Sequence, residues 1–588
     1  MGPNPGPEGT VVVKFLLGVL TGGVLAVLVV VLIGFSFARM KDRTPDVEAN
    51  SVLYLRLNGE VPERVAVDVP IPFLKHTDTL TVTDLWGTLR KAAADSRIKA
   101  ILFEPQGVSL GWGKMQELRA DLEQFKKSGK PIYAFLKSPS AREYYLASAC
   151  NRIYMEPQDL LMLKGARFEI MYFRGTLDKL GVSVDVEHAG KYKDFGDMFT
   201  RTNMSPETKE VLNSMMDGLY GDLVNGIANG RRKSPDEIRA TIDNGPFLPD
   251  QAVKAGLVDR LRFEDEVFGE LKTDLKANDL KKVTAQVYSK TPFSSVGLGG
   301  KQKIAFVVAE GDIVRGSPDS DGTDGIESEH FTKVLRQVAN DSSVKGAIVR
   351  IDSPGGEVTA SDEIWREMNQ LSKKKPLVIS MSDYAASGGY YMAMTGDPIL
   401  AYSGTVTGSI GVVFGKPNLH GLYDKVGITK DEITRGRFAD IDSDYQPLTD
   451  AGRAKLREGI DYEYRDFVTK VATGRRRRFE DIEPIAQGRA WLGSQAKNNG
   501  LVDEIGGIDR AIELVKKKAN IATGEAVNLV MFPRRKSLLE LLMQKPSQDP
   551  DTAVEVRLAR YLGVKTRGIR PWIHGGMLGV LPFQMEFR

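Results

Sequence analysis

Ser387 stands between the apolar run Pro376–Met381 and the glycine pair Gly388 and Gly389, in the stretch PLVISMSDYAASGGYYMA (376–393). The run before it reads as a buried strand and Gly388–Met394 as the glycine-rich opening of a helix, so the serine falls on a strand-to-helix turn. A hydroxyl there projects from tight backbone, and the helix start favours negative charge beside it. The plain alternative is an ordinary turn. As a nucleophile the serine would need a base. Lys193, in GKYKD (190–194), serves if burial or a neighbouring cation lowers its pKa, and His188 is a second candidate. A lone lysine is more commonly solvated. Asp194 and Asp197 could raise this lysine's pKa, leaving less of it neutral to act as a base. The SPGG loop (353–356) can bring backbone N–H groups close to a substrate carbonyl, so Gly356 and Gly388 are the candidates for an oxyanion hole, although Ser-Pro-Gly is also a common turn sequence.

Short apolar strands alternating with helical segments must position these groups, the pattern of α/β architecture. The first series runs Val52–Leu57, a helix over Thr83–Ser96, Ala100–Phe103, a helix over Lys114–Lys127, and Pro131–Leu136. The same order returns as Ile304–Val308, His330–Asn340, Ala347–Ile351, Ser361–Ser372 and Pro376–Met381. Leu89 and Leu335, Asp95 and Asp341, Tyr144 and Tyr390, Gly181 and Gly427, and Gly190 and Gly436 are each 246 residues apart, and AGLVD (255–259) matches NGLVD (499–503). The chain is therefore a tandem duplication. The expected division is a tail and membrane anchor over 1–48, a first repeat over 49–288, a linker over 289–303, a second repeat over 304–524 and an extension over 525–588.

The repeat is an internal comparison. Ala141 stands in the first copy where the second has Ser387, and Ala439 stands in the second where the first has Lys193. These complementary losses predict one active site divided between the copies, with a Ser/Lys pair at its centre.

Composition narrows the function. A net charge of +3 carried by 157 charged side chains shows no nucleic-acid specialisation. Cys150 is the single cysteine, which rules out an internal disulfide or a thiolate metal cluster, and the five histidines lack paired ligand spacing, so neither a metal nor another cofactor is expected. GLGG (297–300) lacks the lysine of a phosphate loop and reads as linker; Arg475–Arg478 reads as a solvated helix approach, with an anionic lipid contact as the alternative. Phe15–Phe37 carries no charge and as a helix would be roughly 35 Å long, enough to cross a membrane once. The basic residues after it (Arg39, Lys41, Arg43) would, by charge alone, put the large domain in the cytoplasm.

SPGG (353–356), DYAASGGYYMA (383–393), TGSIG (407–411) and GKYKD (190–194), behind an N-terminal apolar span, resemble the signal peptide peptidase A (protease IV) family in its long duplicated form. The resemblance implies Ser387 as nucleophile, Lys193 as general base and Ser409 as the residue orienting the lysine. It implies a fold related to crotonases and Clp proteases, a homotetramer, and apolar peptide substrates, chiefly remnants of cleaved signal peptides. It also implies a single-pass protein of the bacterial inner membrane with an extracytoplasmic catalytic domain, against the charge reading. Two rival functions predict different behaviour: a crotonase-like acyl-CoA enzyme indifferent to Ser387→Ala, and a non-enzymatic membrane scaffold untouched by serine-directed reagents.

Overall fold

The computed structural model describes residues 45–65, 79–277, 279–316 and 325–533, and the backbone of 577–580. The expected span over 15–37 lies outside them; among the described residues no helix is long and apolar enough to cross a membrane.

The first repeat contains β1 (Ser51–Gly59), α1 (Val82–Ala94), β2 (Ile98–Val108), α2 (Trp112–Lys126), β3 (Ile132–Leu136), α3 (Ala141–Ala147), β4 (Arg152–Met155), α4 (Arg174–Leu180), β5 (Ser183–Ala189), α5 (Pro206–Arg231), β6 (Arg260–Leu261) and β7 (Lys281–Thr284). The second contains β8 (Gln302–Glu310), β9 (Ile313–Val314), β10 (Ile326–Glu327), α6 (Ser328–Asn340), β11 (Val344–Ser353), β12 (Gly355–Glu357), α7 (Val358–Lys374), β13 (Leu377–Ala386), α8 (Gly388–Met392), β14 (Ile399–Ala401), β15 (Val406–Gly408), β16 (Val412–Asn418), α9 (His420–Val426), α10 (Asp450–Arg475), β17 (Ala490–Leu492), β18 (Glu504–Ile505) and β19 (Val527–Phe532); β20 (Met577–Val580) follows.

The duplication is plain in the sheets. The order β6-β4-β3-β2-β1-β7 in the first copy returns as β18-β14-β13-β11-β8-β19 in the second, with parallel pairing throughout. Parallel strands covered on both faces must be apolar on both, which is why β3, β8 and β13 read as near-continuous hydrophobic runs. Residues 527–532, assigned from the sequence to a C-terminal extension, pair with β8 as β7 pairs with β1.

Two features join the copies. Arg350 on β11 is fully buried, and its guanidinium donates to Glu63, Glu117, Ser380 and Ser382, so residues of both repeats close one ionic knot. A third sheet, in the order β10-β9-β12-β20-β16-β5, pairs β5 of the first repeat antiparallel with β16 of the second, from Val412 opposite Ala189 to Asn418 opposite Ser183. That pairing carries the chain just after β5, which includes Lys193, into the second repeat.

Candidate active site

β13 runs past the expected end at Met381 to Ala386 and delivers Ser387 at the start of α8. Ser387 holds φ 53° and ψ −116°, a backbone state that costs a non-glycine residue about 1–3 kcal/mol and persists only where the surroundings fix it. Here its N–H donates to the Gly408 carbonyl at 2.8 Å and its own carbonyl accepts the Tyr391 N–H at 2.8 Å. The turn is pinned at both ends.

Lys193 reaches this serine from the other repeat. Its Nζ lies 2.7 Å from Ser387 Oγ and 3.0 Å from both the carbonyl oxygen and the hydroxyl of Ser409. All three residues are fully buried. Burial pushes the Lys193 pKa well below its ordinary value, outweighing the opposing charge of Asp194. Asp194 does raise it, as its place in the sequence suggests, but by less than burial lowers it. Asp194 is itself buried, accepts a hydrogen bond from the Thr208 hydroxyl, and is pushed up to about 6. His188 does not compete for the role. Its exposed ring lies with Nδ1 3.0 Å from the Gly190 carbonyl.

The lysine fits because glycines surround its stem. A Cβ on Gly488, which holds φ +73°, would come within 2.6 Å of Lys193 Cβ, and one on Gly411 within 3.1 Å of its Cδ. The main chain holds the position too: the Tyr192 N–H donates to the Gln487 carbonyl at 2.8 Å and the Ser409 N–H to the Arg489 carbonyl at 2.8 Å.

The SPGG loop lies against the helix start. A Cβ on Gly388 would stand 2.6 Å from Ser361 Oγ, 3.1 Å from Gly356 N and 3.3 Å from Gly355 Cα, so no larger residue fits without displacing the loop. Gly355 N–H donates to Ser353 Oγ at 3.2 Å, and β12 continues the loop as a strand. Ser387, Lys193, Ser409, Gly356 and Gly388 are thereby gathered around one turn. The sequence reading missed Ser361 beneath Gly388, Gly488 beside the lysine, and Asp383. Asp383 Oδ2 accepts from the Gly111 N–H at 3.0 Å and Oδ1 from the Lys114 N–H at 2.8 Å, so α2 of the first repeat starts on the strand that carries the serine. Only the acid just before YAASGG hinted at it.

Fold and site together define a duplicated α/β protein that holds a serine against a desolvated amine in its interior. A family model described as peptidase family S49 matches residues 124–278 and 369–522, one stretch in each repeat and together more than half of the chain. "Serine protease SPPA, chloroplastic" of Arabidopsis thaliana is 35% identical over 495 residues, 83% of this chain and 72% of that one. "Protease 4" of Salmonella typhi is 32% identical over 481 residues, covering 78% and 75%. Among solved structures, a ClpP1 mutant from Listeria monocytogenes aligns with 35% of this chain and 94% of its own at 17% identity, with a TM-score of 0.23. The chain belongs to peptidase family S49, and it is a serine peptidase.

Proposed function

We propose that the chain is a membrane-anchored endopeptidase that cuts apolar peptides, such as the remnants of cleaved signal peptides, with Ser387 as nucleophile and Lys193 as general base. The observation that carries this is the 2.7 Å approach of Lys193 Nζ to Ser387 Oγ in a fully buried setting. A neutral amine has two N–H donors and one lone pair. The donors suit the carbonyl and hydroxyl oxygens of Ser409, leaving the lone pair for the Ser387 proton. Ser387 then attacks the peptide carbonyl, the N–H groups of Gly356 and Gly388 hold the oxyanion, and Lys193 passes its proton to the leaving amine. Water, activated by the same amine, releases the acyl group.

An extended peptide has a lane to enter. β12, which begins inside the SPGG loop, and β16 are both paired antiparallel to a strand between them, which here is the backbone of Met577–Val580. Strand addition of this kind recognises main chain and leaves selectivity to the side chains. A relative from Enterococcus faecium, 34% identical over 200 residues and named "Putative signal peptide peptidase SppA", supports the substrate class. The anchor over 15–37, placement in the bacterial inner membrane with the catalytic domain outside the cytoplasm, and assembly as a homotetramer complete the proposal. Hydrolysis of an internally quenched apolar peptide tests it: wild type should turn the peptide over, while Ser387→Ala and Lys193→Ala should not. Equal turnover by all three would refute the assignment. CoA binding with indifference to Ser387→Ala would favour the acyl-CoA reading instead.

A further inference from the structure

Beside Lys193 lies a group of side chains that the mechanism does not use. Arg489, just before β17, carries its guanidinium over two rings: its central carbon is 4.9 Å from the ring centroid of Tyr192 and 4.5 Å from that of Trp491. The same guanidinium pairs with Glu210 of α5, and the Tyr192 hydroxyl donates to that carboxylate at 3.0 Å. Its Nε–H is buried without a hydrogen-bond partner among the described residues, so two ring faces and one carboxylate hold it.

These contacts meet at the lysine from both repeats. Tyr192, the residue before Lys193, and Glu210 come from the first; Arg489 and Trp491 come from the second. The Arg489 carbonyl also accepts the Ser409 N–H at 2.8 Å, and the antiparallel pairing of β17 with β15 sets Ala490 opposite Gly408. Arg489 therefore holds the segment that carries the amine with its side chain, and the residue that orients the amine with its main chain.

The duplication supplies a control. The helices α5 and α10, and the stretches AGLVD and NGLVD, align at an offset of 244. At that offset Gly245 is the counterpart of Arg489, Ala454 of Glu210 and Phe247 of Trp491, while at 246 Phe438 is the counterpart of Tyr192 and Ala439 of Lys193. Aromatic rings persist at the equivalent positions, but the cation, the carboxylate and the phenol hydroxyl are all absent there, as is the lysine. A polar fastening kept only beside the amine serves the amine rather than the fold.

We infer that Arg489 is a positioning residue for Lys193: stacked on Tyr192 and Trp491 and tied to Glu210, it fastens the lysine segment of the first repeat over the Ser409 turn of the second and shuts water away from the amine. This role presupposes Lys193 as the general base of Ser387. Arg489 acts through place and cover, because its own charge is answered by Glu210. A cation and a ring attract each other most where water is excluded, and a planar guanidinium stacks where an ammonium does not. Lys191, the other cation over Tyr192 at 5.0 Å, is exposed and leaves the cover to Arg489.

The test follows the rate at which a fluorophosphonate acylates Ser387 across pH, in the full chain in detergent. The groups that titrate against the amine, Asp194 beside it and His188 and Asp197 near that carboxyl, are untouched by the variants. Arg489→Ala should react about 100-fold more slowly at neutral pH, the order expected when a catalytic group shifts by about 1 Å. Its rate should also rise at higher pH than that of wild type, because an amine reached by water keeps its proton longer. Glu210→Ala alters a side chain that is 48% exposed, with little core at stake, and should act in the same direction by about tenfold. Arg489→Lys keeps the charge but not the planar stack, and should fall between Arg489→Ala and wild type. A merely structural arginine would lower Tm and the amount of labelled protein, yet leave the pH of half-maximal rate where wild type has it. That result, or wild-type rates in both Arg489→Ala and Glu210→Ala, would overturn the inference; if Arg489→Ala does not fold, Glu210→Ala decides alone. Lys193→Ala, run alongside, separates this role from the peptidase assignment. A Lys193→Ala rate equal to wild type would remove the general base and this role with it, whereas a rate that depends on Lys193 but not on Arg489 or Glu210 would overturn this role alone.

Discussion

Lys193 Nζ and the Ser409 hydroxyl stand 3.0 Å apart in a fully buried site, and the same amine is 3.0 Å from the Ser409 carbonyl. Ser409 thus offers the lysine two oxygens from one residue, and Ser409 itself holds φ 50° because Arg489 and β15 fix its backbone. Ser409→Ala keeps the carbonyl and removes the hydroxyl. Losing one such bond costs about 1–2 kcal/mol, so kcat should fall about tenfold with KM nearly unchanged in steady-state hydrolysis.

The lowered pKa of Lys193 sets a pH dependence. In the proposed mechanism the amine acts only when neutral, so the rate of Ser387 acylation should rise with pH through that lowered value and level off well before the ordinary lysine range. For stability the sign is the reverse of a salt-bridged lysine. The folded state releases this proton at lower pH than the unfolded state does, so between the two values the unfolded chain binds more protons and stability rises with pH. Lys193→Met should therefore be inactive yet more stable than wild type at neutral pH in urea unfolding, with the gap closing as pH approaches the ordinary lysine value.

Gly488→Ala tests the packing around the lysine. The new methyl would meet Lys193 Cβ at 2.6 Å, on a backbone that already disfavours a side chain. Displacing a catalytic group by about 1 Å costs on the order of 100-fold in rate. Activity should fall by that order while far-ultraviolet circular dichroism stays the same.

Asp383 links the repeats at the strand that carries the serine. Burial pushes its carboxyl up to about 6, with Asp352 and Glu63 adding to the rise and Lys114 opposing it. Asp383→Ala leaves the Gly111 and Lys114 N–H groups without their acceptor, and should lower unfolding free energy by about 2–3 kcal/mol. Because α2 then loses its seat on β13, kcat should fall as well, although Asp383 touches none of the reacting atoms.

The strand Met577–Val580 occupies the lane between β12 and β16. A peptide using that lane must displace it. Deleting 577–588 should raise kcat/KM several-fold for a long peptide while leaving the acylation rate with a small phosphonate unchanged.

Much of this was legible in the residues. Identities at a fixed spacing exposed the duplication, and the exchange of Ser387 for Ala141 and of Lys193 for Ala439 pointed to a serine and a lysine from different copies, which the fold brings to 2.7 Å. The sequence reading stopped β13 at Met381, because Ser382 and Asp383 look like a polar strand end; their partners, Arg350 and the start of α2, are distant in sequence. It could not weigh Asp194 against burial. Proximity along the chain showed that Asp194 could raise the lysine pKa, but burial, which depends on how β5 docks on β16, is the larger effect. Gly488 and Ser361 carried no local signal, since their importance lies in what a neighbouring side chain would strike.

The most direct measurement is the rate at which a fluorophosphonate acylates Ser387, followed by intact mass across pH in wild type, Lys193→Ala and Ser387→Ala. Wild type should gain one adduct, at a rate that rises through the lowered lysine pKa; Lys193→Ala should react at least 100-fold more slowly, on the order expected of a lost general base, and Ser387→Ala not at all. Equal labelling of all three, or a Lys193→Ala rate and pH profile matching wild type, would contradict the account.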